Sequence, residues 1–187
     1  MKKLFVIAFA AFATFAASAQ TIARVNFNEL VMLAPEMDAA REVMAASQKE
    51  AEETYSAMVE EFQSKYEQYQ QKQASWTAAI RESKEKELGE IQNRLQEFQA
   101  SISQELQAQQ NQLMAPIQEK ANKAVTDLAK AKGVTILLDY SQAIYFDEAK
   151  VLDLTPEARK ALGIAESRTL EALQAELQAQ AQGVQAQ

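Results

Sequence analysis

Residues 36–80 read EMDAAREVMAASQKEAEETYSAMVEEFQSKYEQYQQKQASWTAAI, and residues 88–128 read LGEIQNRLQEFQASISQELQAQQNQLMAPIQEKANKAVTDL. Between Glu36 and Lys132 stand one proline, Pro116, and one glycine, Gly89, in a background of Ala, Gln, Glu, Lys, Leu and Met. These are residues that cost little in a helix. In the first half Ala51, Tyr55, Met58, Phe62, Tyr66, Tyr69, Trp76 and Ile80 recur mostly at steps of three or four, which puts them on one helical stripe. The second half repeats the pattern through Leu88, Ile91, Leu95, Phe98, Ile102, Leu106, Leu113, Ile117, Val125 and Leu128, with Gln109 bridging one gap.

Two such stripes predict two packed helices, hence one long antiparallel hairpin. The outgoing helix runs to about Ala79, an arm of order 65 Å at 1.5 Å per residue. Equal arms place the turn near Arg81 to Lys84, with Ser83 capping the returning helix and Gly89 as the alternative pivot. Pro116 removes a backbone donor inside the return helix and predicts a kink near Leu113.

The flanks read differently. Thr21 to Phe27 alternates as a short strand, with Ala23, Val25 and Phe27 on one face. Asn26 or Asn28 caps a brief helix ending at Met32, Leu33 or Ala34, and Pro35 with Glu36 and Asp38 opens the long one. Gly133 ends the return helix. Val134 to Leu138 and Ala143 to Phe146 are expected to pair as a two-stranded hairpin. Asp153-Leu154-Thr155-Pro156-Glu157 starts a short helix, with Thr155 as its cap, that ends at Gly163. Beyond Ala165, Leu170, Leu173 and Leu177 mark a weakly apolar, partly mobile helical tail rich in Ala and Gln.

Residues 1–19 carry Lys2 and Lys3, an apolar run from Leu4 to Ala17 and a small-residue Ala17-Ser18-Ala19 end, the pattern of a cleavable secretory signal. The run is too short for a retained membrane anchor. Without it the formal charge is about −9, with about nine acids against three bases from Thr21 to Phe62. Such a surface argues against sequence-independent nucleic-acid binding. The chain has no Cys and no His, no glycine-rich phosphate loop and no acids at metal-ligand spacing, so the usual residues of nucleophilic, zinc and nucleotide chemistry are missing. The expectation is a protein that is not an enzyme and needs no cofactor. The group Glu50, Glu52, Glu53, Glu60 and Glu61 is taken as a solvated helix face.

The expected fold is therefore mainly α: a signal over 1–19, a helical-hairpin arm over 36–132 projecting from a small β-containing body of residues 20–35 and 133–164, and a tail over 165–187. A body of three short strands and one helix is too small for a generous core, and association of several copies buries the rest. The order of Arg24-Val25-Asn26, Pro35-Glu36, the long hairpin, Ala131-Lys132-Gly133, Val134 to Asp139, Ile144-Tyr145-Phe146 and Asp153-Leu154-Thr155-Pro156 resembles the Skp/OmpH family of periplasmic chaperones over residues 20 to 164. That resemblance implies a jellyfish-like homotrimer in the periplasm, whose arms enclose unfolded outer-membrane proteins. The best-known member of that family is basic, with positively charged arm tips linked to lipopolysaccharide and membrane contact. Here Arg81, Lys84 and Lys86 alternate with Glu82, Glu85 and Glu87, which leaves direct contact with membrane or lipopolysaccharide doubtful.

Met58, Tyr66 and Trp76 are the candidate client-contacting residues, because the stripe drifts near Tyr66 and Trp76 lies toward the tip. The competing reading of every arm aromatic is packing in the seam, since a long helix needs a packed stripe. Met32, Met37 and Met44 near the arm root serve either as adaptable contacts or as filling. Val25, Phe27, Ile136, Leu138, Ile144 and Phe146 are the candidates for the oligomerisation body. A structural coiled-coil protein of the cell envelope would use the same helices, and a transport adaptor would use a similar hairpin between larger flanking domains.

Overall fold

The computed structural model describes residues 21–185; the proposed signal segment lies outside them. The elements are β1 (Ile22–Val25), α1 (Phe27–Leu33), α2 (Pro35–Lys72), a 3-10 turn (Gln73–Ser75), α3 (Ala78–Ala131), β2 (Ile136–Asp139), a second 3-10 turn (Tyr140–Gln142), β3 (Leu152–Asp153), α4 (Thr155–Ala161) and α5 (Leu170–Gln185). The fold is mainly α with one small sheet. It divides into two compact units whose boundaries fall at Leu30, Ala121 and Arg168.

The first unit, reaching to Leu30 and resuming from Ala121 to Arg168, holds the sheet. Strand order is β2-β1-β3, and both pairings are parallel. Ile22 faces Ile136 and Val25 faces Asp139 on one side, while Ala23 faces Leu152 and Arg24 faces Asp153 on the other. Strand residues alternate between faces, so Ala23 and Val25 turn inward and are buried, as expected from their pattern. Ala23, Ala129 and Leu154 form one buried cluster, with Leu128, Val134 and Leu137 packed on it, and Val25, Leu30, Val125, Ala158, Leu162 and Ile164 of the same unit are buried too.

Two glycines finish helices here by the same device. Gly133 has φ +65° and Gly163 φ +73°, a region that costs most other residues energy. At the first, Gly133 N–H reaches Lys130 O (3.1 Å) and Val134 N–H reaches Ala129 O (2.9 Å); at the second, Gly163 N–H reaches Lys160 O (3.1 Å) and Ile164 N–H reaches Arg159 O (2.9 Å). Both pairs satisfy carbonyls that the helix ends would leave bare. Asn26 caps α1, its Oδ1 accepting from Glu29 N–H at 3.0 Å.

Three expectations need correction in this unit. Phe27 opens α1 rather than ending the strand. The expected hairpin of Val134–Leu138 with Ala143–Phe146 does not form. Asp139 Oδ1 accepts from Ser141 N–H at 3.0 Å and turns the chain into a 3-10 turn, and the third strand is Leu152–Asp153, parallel to β1. Thr155 does not cap α4 through its side chain. Its hydroxyl instead accepts from Asn26 N–H at 3.0 Å, while Asp153 Oδ1 accepts from Thr155 N–H at 2.9 Å.

The second unit runs from Val31 to Lys120 and includes α5. Pro35 stands at the start of α2, with Glu36 and Asp38 in the first turn where the helix dipole favours acids. α2 and α3 are antiparallel partners. Tyr69 meets Glu85, Lys65 meets Glu87, Glu61 meets Arg94 and Glu36 meets Lys120, so each step back along α2 is matched by a step forward along α3. The turn is therefore at Gln73 to Thr77, not at Arg81 to Lys84, and Gly89 lies inside α3. Ser75 Oγ donates to Lys72 O at 2.8 Å, and Thr77, not Ser83, accepts from Ile80 N–H with its hydroxyl at 3.4 Å. α3 continues as one helix through Pro116 to Ala131.

Leu154 has no exposed surface and packs in one buried cluster with Ala23 and Ala129. Leu154→Ala is expected to lower stability by about 3 kcal/mol, and Leu154→Met by less than about 1.5 kcal/mol, because truncation leaves a cavity and the near-isosteric change does not. Urea unfolding followed by circular dichroism measures both; equal, small losses would show that the cluster is not the core.

Candidate functional site

Along α2 the inward positions are Tyr55, Met58, Phe62, Lys65 and Tyr69, all half-buried, as is Trp76 in the turn that follows. On α3 they are Lys84, Glu87, Leu88, Ile91, Leu95, Phe98, Ile102 and Leu106. The step after Phe62 thus falls on Lys65, and Tyr66 is left 45% exposed beside the seam, stacked on Phe62 with centroids 6.0 Å apart. Near the turn the seam is ionic rather than apolar.

Glu87 is the centre of that ionic stretch. It accepts from Lys65 across the seam and from Lys84, 2.7 Å away on its own helix. Hydrogen bonds from Lys65 first, and then Lys84, lower the Glu87 pKa to about 2, and the same bond to Glu87 raises that of Lys65. Tyr69 donates its hydroxyl to Glu85, which raises the tyrosine's pKa. At the far end Lys120 holds Glu36 below the usual carboxylate range through the hydrogen bond between them. Charges in the seam fix register, because a slip of one turn would break each cross-pair.

The three candidate client residues do not form one cluster. Met58 is a half-buried seam residue; Tyr66 is exposed beside the seam; Trp76 sits in the turn, edge-on to Tyr69 at 6.0 Å. What the apolar spacing did not show is that the seam is incompletely closed. A cavity of about 260 Å³ is lined by Tyr55, Phe98, Ile102 and Leu106, and a neighbouring one of about 560 Å³ by Ala51, Thr54, Phe98 and Gln109 among others. A third, of about 490 Å³, has Met37, Met44, Leu113 and Met114 in its walls. Small or polar residues at seam positions, Ser47, Ala51, Thr54 and Gln109, are the signal that could have pointed to the first two.

In the sheet unit, Val25 is 2% exposed and serves its own core. Phe27 and Phe146 are half-buried. Ile136 (41%), Leu138 (49%) and Ile144 (104%) are open, together with Tyr145 and Leu152. Arg24 organises the loop that bears Ile144. Its guanidinium lies 5.0 Å from the Tyr140 ring centre and 4.5 Å from that of Phe146, and pairs with Asp153 at 3.1 Å and Glu148 at 3.5 Å. Cation–ring contacts of this kind hold a side chain in place without burying it completely. Arg159 makes a comparable tie, pairing with Glu29 and donating to Ala165 O (2.8 Å) and Arg168 O (2.6 Å).

The described residues thus combine a long, partly open helical pair with a small sheet that leaves apolar side chains exposed. Among the described residues no helix is long and apolar enough to cross a membrane, and no three acidic residues are grouped to hold a metal. Residues 21–162 match the family described as outer membrane protein (OmpH-like), and the chain belongs to that family. This is the Skp/OmpH family, whose members are periplasmic chaperones that in general bind outer-membrane proteins. No curated protein matches the sequence.

The Glu87 pairing makes the turn end of the hairpin acid-sensitive. A carboxylate with a depressed pKa stabilises the fold above its unfolded value, 4.5, and loses that contribution as pH falls toward about 2. Glu87→Gln is therefore expected to lower the urea midpoint at neutral pH, and the gap from the unsubstituted chain is expected to close below about pH 2. A gap that stays constant across that range would assign the loss to packing.

Proposed function

We propose that this protein is an ATP-independent holdase that takes up unfolded outer-membrane proteins in a cavity between the helical hairpins of a homotrimer and keeps them from aggregating in transit through the periplasm. The observation that carries the reading is the open seam: Tyr55, Phe98, Ile102 and Leu106 line an apolar cavity on the hairpin, with the exposed ring of Tyr66 further along it. Apolar surface held on a rigid hairpin offers an unfolded chain many weak contacts, none of which needs a particular sequence. Family membership supports the same reading. Tyr66, Met58 and Trp76 are the residues we assign to client contact.

The trimer is supported by an imbalance in the sheet unit. Val25, Leu30, Leu154 and Leu162 are buried, yet Ile136, Leu138, Ile144, Tyr145 and Leu152 leave large side chains in water. Burying one such side chain yields about 1.5–3 kcal/mol, and an interface between copies is the economical place to do it. Export of the chain by its N-terminal segment completes the reading.

Diluting a urea-unfolded outer-membrane β-barrel protein into a trimer-equivalent excess of this protein is expected to suppress light scattering without nucleotide. Unchanged scattering would overturn the holdase reading and favour a structural coiled-coil protein of the envelope. Mass from light scattering on a sizing column is expected to be that of three chains at micromolar concentration, and Leu138→Asp with Ile144→Asp to reduce it to one. A monomeric mass for the unsubstituted chain would remove the trimer.

A further inference from the structure

α5 lies beyond the residues that match the family, yet the hairpin unit gives it a definite seat. Thr169 caps it, its hydroxyl accepting from Ala172 N–H at 3.1 Å. Leu173 is 5% exposed, and Leu177, one turn on, keeps 39% of its surface. Leu177 lines the cavity of about 490 Å³ whose walls include Met37 and Met44 of α2 and Leu113 and Met114 of α3. Three of the chain's six methionines meet in that groove. Methionine is unbranched and polarisable and packs against partners of irregular shape, which suits a surface that must accept more than one occupant.

We propose that α5 is a displaceable internal occupant of this methionine-lined groove, standing where an apolar segment of an unfolded client binds, so that tail and client compete. The proposal rests on the holdase reading above. What α5 presents, leucines at Leu170, Leu173 and Leu177 in a background of Ala and Gln, is the kind of sparse aliphatic pattern an unfolded chain also offers. Its hold is partial by construction. Leu173 is buried, while Leu177 on the groove wall is open to water, so the groove is shielded at rest without being sealed. A binding surface that is free only part of the time shows an affinity reduced by the free fraction. The tail would thus screen the groove from weak apolar contacts and yield to a chain that offers several at once.

The absence of cysteine in the natural sequence makes the test direct. Met44→Cys and Leu177→Cys, introduced together in the full chain and bridged by a short bismaleimide, lock α5 in its groove; Leu173→Glu with Leu177→Glu releases it. Affinity for a fluorescently labelled, urea-diluted outer-membrane β-barrel protein is read by anisotropy, with circular dichroism confirming the helical content of each variant. The locked chain is expected to bind about tenfold more weakly than the same chain unbridged, and the released chain about tenfold more tightly than the unsubstituted one. Added client is also expected to slow bridging of the cysteine pair. Equal affinity in the locked and unbridged chains, with client bound by both, would overturn the competition while leaving the holdase reading intact. Failure of every chain to bind client would overturn that reading and this one with it. Should the glutamate variant lose its helical content, the bridged pair decides alone.

Discussion

A helix of 38 residues with one narrow apolar stripe must find a second stripe to bury it against, and α2 and α3 are that partner for each other. Everything about the hairpin follows from how sparingly the pairing uses apolar surface. Ala40 is the one buried residue of α2, and the inward row passes from Phe62 to Lys65 before returning to Tyr69. Because Lys65 takes the inward place, it needs an acid opposite, and Glu87 supplies it. Because Tyr66 is pushed off the seam, an aromatic ring stays in water. The same economy that makes the seam thin leaves the cavities beside Phe98 and Ile102.

Much of the fold was legible because it is local. Helix propensity, the Pro35 start, the Asn26 cap and the two terminal glycines each depend on a few neighbouring residues and behave as their chemistry dictates. The turn was misplaced because Gln73 to Thr77 holds no Gly or Pro; Ser75 and Thr77 make it through hydroxyl groups, which are harder to see. The strands after Gly133 were misassigned for a related reason. Ala143 to Phe146 has strand-like composition, but Asp139 closes an early turn, and the pairing partner lies at Leu152 and Asp153, too short a run to announce itself.

The binding surface was less legible still. Spacing marked which residues belong to the stripe without saying which ones the stripe fails to cover. Tyr66 was rightly suspected of drifting outward, yet the reason, a lysine in the seam, becomes apparent only when the register with α3 is known. Met37 and Met44 carried no sign that Met114 and Leu177 would join them, since those residues are far apart in sequence.

The sheet order has a consequence for timing. β1 is the central strand, and both of its neighbours, β2 and β3, follow more than a hundred residues later. A chain made N-terminus first therefore holds β1 unpaired until the whole hairpin has been synthesised. The hairpin can close from its turn by contacts that begin close in sequence, which is the fast kind of folding, whereas the sheet depends on joining distant ends. The hairpin does what a long loop could not: by folding back on itself it brings Lys120 beside Glu36, so the span between the distant strands is taken up by a folded element rather than by slack chain.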